Sequence, residues 1–226
     1  MIDRLPIFPL ETVLMPGMTL PLHIFEPRYR RLMHDTADLD PAFGIVLVRE
    51  GGEVGGGATY HEVGVAASYR ARMEMPDGRW ATVVEGGRRF RVLHADDSRG
   101  YLTASVQWLD ERDGDGDLAA LHAETRTAFG RLAVAFARSI VGDGDVASVV
   151  GETAALVSDD PREASYLLAT RFEVQSAEKQ GLLECPDTAS RLRALNRILD
   201  RERRLLQRGG IGPSAVANAP VAITLN

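Results

Sequence analysis

The chain has one cysteine, Cys185, and one lysine, Lys179. A single thiol excludes an internal disulfide and any multi-thiolate metal site. With a single lysine, nearly all positive charge is arginine. No apolar run approaches the roughly eighteen residues that a membrane-spanning helix requires. Met1 to Leu10 lacks a basic stretch leading into an apolar one, so no secretory signal is read and a cytoplasmic protein is expected. Positive charge is in deficit overall, with a formal net charge of −6. Phosphate backbones repel such a chain unless its arginines gather on one face.

The signatures of catalysis are also missing. No Gly-x-x-x-x-Gly-Lys-Ser/Thr phosphate loop is present. His23, His34, His61, His94 and His122 are scattered without ligand-spaced partners. Asp113-Gly114-Asp115-Gly116-Asp117 lacks the terminal bidentate glutamate of a calcium loop, and reads as a solvated linker. No catalytic, cofactor-binding or metal-binding residue is assigned, no cofactor is expected, and the chain is expected not to be an enzyme.

What is there is a chain of 226 residues, 45% hydrophobic and 26% charged, enough for one ordinary domain or two small subdomains. The first half has the period of β structure. Leu5 to Leu10, punctuated by Pro6 and Pro9, suits an edge strand entering a barrel. Met15-Pro16-Gly17 signals a turn before a strand over Thr19 to Phe25. Pro27 opens a short helix to Asp35. Phe43 to Val48 is a continuous apolar run, as a buried central strand requires. A glycine-rich loop follows at Glu50 to Gly57. Tyr60 to Met75 and Trp80 to Glu85 flank the hairpin signal Pro76-Asp77-Gly78-Arg79, Arg89 to Ala95 forms a further strand, and Tyr101 to Leu109 alternates with period two.

Beyond the acidic segment the period becomes helical. Leu118, Leu121, Thr125, Ala128, Phe129, Leu132, Phe136 and Ile140 fall on one stripe. Asp145 can cap a helix to Val157. Asp160-Pro161-Arg162-Glu163 starts another, with Ala164, Leu167, Leu168 and Phe172 inward. Ser176 can cap a short helix carrying Leu182 and Leu183. A last helix over Thr188 to Gln207 puts Leu192, Leu195, Ile198, Leu199, Leu205 and Leu206 on one side, with arginines and acids on the other. The expected fold class is α+β: a β-barrel subdomain over 1–112, a helical bundle over 117–208 and a flexible tail over 209–226, in which Val221 to Leu225 can pair as a strand.

Two stretches carry a family likeness. One runs Leu5-Pro6-Ile7-Phe8-Pro9-Leu10, Val13-Leu14-Met15-Pro16-Gly17-Met18, then Leu20-Pro21-Leu22-His23-Ile24-Phe25-Glu26-Pro27-Arg28-Tyr29. The other runs Lys179-Gln180-Gly181-Leu182-Leu183-Glu184, followed by Asp187-Thr188-Ala189-Ser190-Arg191-Leu192. Together they resemble the amino-terminal substrate-recognition domain of Lon proteases over roughly Leu5 to Gln207. The resemblance implies a PUA-like β-barrel with a helical bundle. It also implies a non-catalytic module that binds unfolded or flexible protein segments, with a protease system as a candidate recipient and no membrane partner. The chain ends soon after the last expected helix, so the ATPase and peptidase parts of the full protease are not expected. PUA-like barrels elsewhere bind RNA, and Arg28, Arg30 and Arg31, with Arg88, Arg89 and Arg91, form two local basic patches. An RNA-binding PUA-like protein is therefore the alternative reading, disfavoured because few stacking aromatics accompany those arginines.

Within this frame, Met73, Met75 and Trp80 near the hairpin tip are the candidate protein-binding residues. Unbranched, polarizable methionines offer an apolar surface that adapts to varied partners.

Overall fold

The computed structural model describes residues 2–51, 59–141, 157–171 and 174–208. The helix expected from Asp145, most of the glycine-rich loop, Phe172, and the expected tail and terminal strand lie outside these residues. The chain divides into two compact units, Met1–Asp110 and Glu111–Asn226.

The first unit contains β1 (Ile2–Leu10), β2 (Thr19–Ile24), α1 (Pro27–Asp35), β3 (Phe43–Glu50), β4 (Thr59–Glu74), β5 (Trp80–Asp96) and β6 (Thr103–Trp108). They form a six-stranded sheet in the order β2-β5-β4-β3-β1-β6, with a further pairing of β5 to β6. The circuit β1–β3–β4–β5–β6 therefore returns on itself and β2 lies outside it, an arrangement less regular than the barrel expected from sequence.

Two strands differ from expectation for the same reason, a change of partner. β1 was expected at an edge. Instead Ile2–Pro6 pair with β6 and Ile7–Leu10 pair in parallel with β3. Each proline thus sits in a stretch whose register is one-sided, where a missing N–H is tolerated. The strands expected at Trp80 to Glu85 and Arg89 to Ala95 are one strand, β5. Its first half pairs with β2, its second half with β6, and β4 runs along its other side.

Inside the circuit, Leu5, Ile7, Val46, Ala66, Phe90, Val92, Ala104 and Val106 form one buried cluster. Phe90 lies opposite Gly64 in the register. A Cβ added at Gly64 would stand 2.8 Å from Phe90 Cζ, and one at Gly44 would meet the same ring. The two glycines leave the room that the phenyl ring fills. β3 is buried on both faces, as its apolar run implies. Gly44 faces the cluster, and Phe43 packs the other way, edge-on to Phe8 at 6.0 Å and to Tyr69 at 5.7 Å. α1 closes that side: Tyr29, Leu32 and Met33 are buried, and the Tyr29 ring lies 4.1 Å from Phe8.

The described helices of the second unit are α2 (Leu118–Val141), α3 (Pro161–Thr170), α4 (Ser176–Glu184) and α5 (Thr188–Gln207). α5 touches each of the other three. Asp160 caps α3 by accepting from the backbone of Arg162 and Glu163 at 2.7 and 3.3 Å. Ser176 does not cap α4; it is the first helical residue after Gln175. Leu192, Leu195 and Leu199 are buried as expected, but Leu205 is 42% exposed.

Arg191, on the expected polar side of α5, is 0% exposed. Its Nε donates to the Leu182 carbonyl at 3.2 Å and its Nη1 to Ser165 Oγ at 3.0 Å. Its guanidinium lies 3.8 Å from the Tyr166 ring centroid and pairs with Glu111 at 3.6 Å. One cation therefore ties α3, α4 and the Glu111 segment to α5. The acidic segment is not a free linker either. The carbonyls of Arg112 and Asp113 accept from the Thr188 and Ala189 amides, both at 2.9 Å. Those amides open α5 and lack partners within their own helix.

Gly64→Ala is expected to destabilise the first unit by about 1–3 kcal/mol, the usual cost of overpacking a filled core. Chemical denaturation followed by tryptophan fluorescence checks this, since both tryptophans lie in that unit. An unchanged midpoint would contradict the packing described.

Candidate functional site

Among the described strands, β2 is the one terminal strand that the closed circuit leaves unpaired on one side, so its construction matters. Met18 N donates to the Met15 carbonyl at 3.0 Å across Pro16 and Gly17, and Gly17 has φ 76°. This is a turn with proline at its second position and a positive-φ glycine at its third. Gly17 N donates to Gly86 O at 2.8 Å and Gly86 N donates to Met18 O at 2.9 Å, a glycine bulge that starts the β2–β5 ladder. Antiparallel bonds then recur at every second residue. Leu20, Leu22 and Ile24 accordingly bond toward β5, while Thr19, Pro21 and His23 turn their backbone groups outward. Pro21 has no N–H to lose there. Among the described residues, no backbone bond from this outer edge is found.

Side chains of β2, β5 and β4 share faces by the register. His23, Ala81 and Met73 stand in one row, and Pro21, Val83 and Ala71 in the next. Met73 is 58% exposed, and Phe25, just past β2 with its ring 6.3 Å from His23, is 51% exposed. Met73 and Phe25 therefore stand open to solvent on this face of the three strands, among His23, Thr19 and Glu85.

The three residues singled out from sequence do not form one patch. Met75 N donates to Arg79 O and Gly78 N to Met75 O, both at 2.8 Å, which closes the expected hairpin. Met75 opposes Arg79, Glu74 opposes Trp80, and Met73 opposes Ala81. Successive residues leave opposite faces of a strand. Met73 and Met75 thus share the open face, and Trp80 leaves the other. There the Trp80 ring is half-buried, edge-on to His34 at 5.4 Å, with His34 Nε2 3.9 Å from Glu74. The exposed Phe25 was missed, although alternation between Leu20, Leu22, Ile24 and Pro21, His23, Phe25 already marked it.

Beside the outer edge of β2 runs a groove of about 230 Å3. It is lined by Leu20, Leu22 and Phe25 and by Phe8, Leu10 and Tyr29. Its one carboxylate, Glu26, is paired with Arg28 at 3.0 Å.

Four of the six arginines in the two basic patches pair with carboxylates within the unit, Arg28 through Glu26 at 3.0 Å. Arg31 pairs with Asp35 at 3.8 Å, Arg91 with Glu62 at 3.3 Å and Arg88 with Asp110 at 3.5 Å, and Arg89 is buried. Shifted protonation here has structural causes. Burial raises the Tyr69 phenol above its ordinary value, against the opposing Thr36 hydrogen bond and Arg72. The Arg70 hydrogen bond holds the Glu85 carboxyl below its usual range. Among the described residues, no group of three or more His, Cys, Asp or Glu side chains could hold a metal ion, and no helix is long and apolar enough to cross a membrane.

Both halves of the fold can be compared with known proteins. The family described as the ATP-dependent protease La (Lon) substrate-binding domain matches residues 4–201. The chain belongs to this family. It is 26% identical over 214 residues to Lon protease 2 of Myxococcus xanthus, covering 94% of this chain and 25% of that protein. It is 24% identical over 211 residues to the Lon protease of Escherichia coli K12, covering 90% and 25%. The chain thus spans about a quarter of the length of these relatives, and what is matched is the substrate-binding domain. Among solved structures, the Lon N-terminal domain protein from Xanthomonas campestris is similar with a TM-score of 0.63 and 25% identity, over 86% of this chain and 97% of that one. The N-terminal domain of Mycobacterium avium complex Lon protease shares the fold, with a TM-score of 0.62 and 19% identity over 88% and 98%.

In this Lon substrate-binding domain, the open face should be replaceable without harm to folding. Phe25→Ser and Met73→Ser are each expected to keep the unfolding free energy within about 0.5 kcal/mol, as for other exposed positions. Thermal melts of the two variants check it; a loss of several degrees in either would show that the side chain supports the fold.

Proposed function

We propose that this chain captures unfolded or flexible segments of other proteins and performs no chemistry on them. In this reading it uses no cofactor, acts in the cytoplasm and presents its captured segments to a protease system. The fold is read as a PUA-like barrel over 1–112 followed by a helical bundle over 117–208. Met73 and Met75, joined by Phe25, form the adaptable contact surface, while Trp80 serves through its packing against His34. The observation that carries the reading is the exposure of Met73 and Phe25 on one face of β2, β5 and β4, beside a largely apolar groove. An exposed apolar patch on a folded protein marks a place where another molecule binds. Affinity should be modest and sequence preference broad, because main-chain and methionine contacts discriminate weakly.

Titration calorimetry against a reduced, carboxymethylated and hence permanently unfolded protein tests this. Saturable binding in the micromolar to high-micromolar range is expected, with a negative heat-capacity change from apolar burial and little dependence on salt. The native form of the same protein should not bind, and the bound protein should stay uncleaved. Absence of binding by both unfolded chains and apolar peptides at high micromolar concentration would falsify the reading.

A further inference from the structure

The capture reading leaves open how a segment would be held. The geometry points to strand addition: an extended, uncharged segment of another polypeptide pairs with the outer edge of β2 and lays alternate side chains into the groove beside it. This rests on the capture reading and specifies its site and bonding.

Three observations converge on it. The bulge at Gly17, Met18 and Gly86 fixes which residues of β2 bond inward, so Thr19 and His23 offer outward donors and Thr19, Pro21 and His23 offer outward acceptors. That pattern complements one extended backbone. The groove runs beside this edge and is lined by Leu20, Leu22, Phe8 and Leu10, so it takes apolar side chains from a strand laid there. Its carboxylate, Glu26, already holds Arg28, which leaves a guest no counter-charge in the lining. A second copy of this chain is the poorer occupant. Symmetric antiparallel pairing of two β2 edges in the register that uses Thr19, Pro21 and His23 together would set Pro21 against Pro21, and neither supplies an N–H. A segment without proline at that position donates to the Pro21 carbonyl.

The test uses the full chain and a fluorescent, end-blocked peptide of alternating valine and threonine, followed by anisotropy. His23→Pro removes an outward donor and leaves the β5 ladder intact, whereas His23→Ala removes only the imidazole. Strand addition predicts about tenfold weaker peptide binding for H23P and less than about twofold change for H23A, the scale of a lost main-chain hydrogen bond with its partner left unmet. Circular dichroism verifies that H23P is folded. A second arm needs no variant: the same peptide N-methylated at every residue has no donors and should not bind the wild-type chain. If the unfolded protein binds but the peptide does not, or H23P and the methylated peptide bind as well as their parents, strand addition is overturned while capture stands. If neither probe binds, capture itself fails. If sedimentation shows a wild-type dimer that H23P converts to monomer, the edge belongs to a second copy and the inference is wrong.

Discussion

The first unit depends on the Phe90 ring occupying the space that Gly44 and Gly64 leave open. This contact fixes the face on which β5 meets β4 and β3. With that face set, the second half of β5 reaches β6 and closes the circuit. The first half of β5 extends beyond the closure and carries β2 as a three-stranded wing with β4. A side of β2 is therefore free because β5 is long and its far half is already committed. An exposed strand edge invites pairing with other chains, and proteins commonly blunt it with proline or charge. Here Pro21 removes one outward donor, and the remaining donors and all acceptors persist.

The second unit is organised by another kind of constraint. Arg191 is a cation without solvent exposure, held by a carbonyl, a hydroxyl, a carboxylate and an aromatic face contributed by different segments. Losing one member of such a buried set strands the others, which makes it far more damaging than losing a surface pair. The carbonyls of Arg112 and Asp113 satisfy the first amides of α5, so the acidic segment is part of the same construction. The motif Asp187-Thr188-Ala189-Ser190-Arg191-Leu192 gains a physical meaning: Asp187 caps the helix by accepting from the Ser190 amide at 2.7 Å, and Arg191 anchors it.

Much of this was legible in the sequence, because its causes are local. Pro27 at a helix start, Asp160 as a cap, Pro16-Gly17 as a turn and the leucine spacing of α5 each act within a few residues. The partner changes of β1 and β5 were not legible. They depend on which distant strand arrives on each side, and neither Gly86-Gly87 nor the prolines reveal that. Arg191 looked like part of a solvated face because its acceptors come from three remote segments. The hairpin of Met73, Met75 and Trp80 was correctly placed, yet its residues divide between two faces. That division follows from register, and the register is fixed by the Met75–Arg79 closure. Phe25 could have been found by extending the alternation of β2 by one residue.

Hydrogen–deuterium exchange, read residue by residue with and without a saturating unfolded polypeptide, tests most directly whether the free side of β2 is the capture surface. Capture there requires slowed exchange at the Thr19 and His23 amides, with the helices of the second unit unchanged. Slowing confined to α2–α5, with Thr19 and His23 exchanging as before, would contradict it.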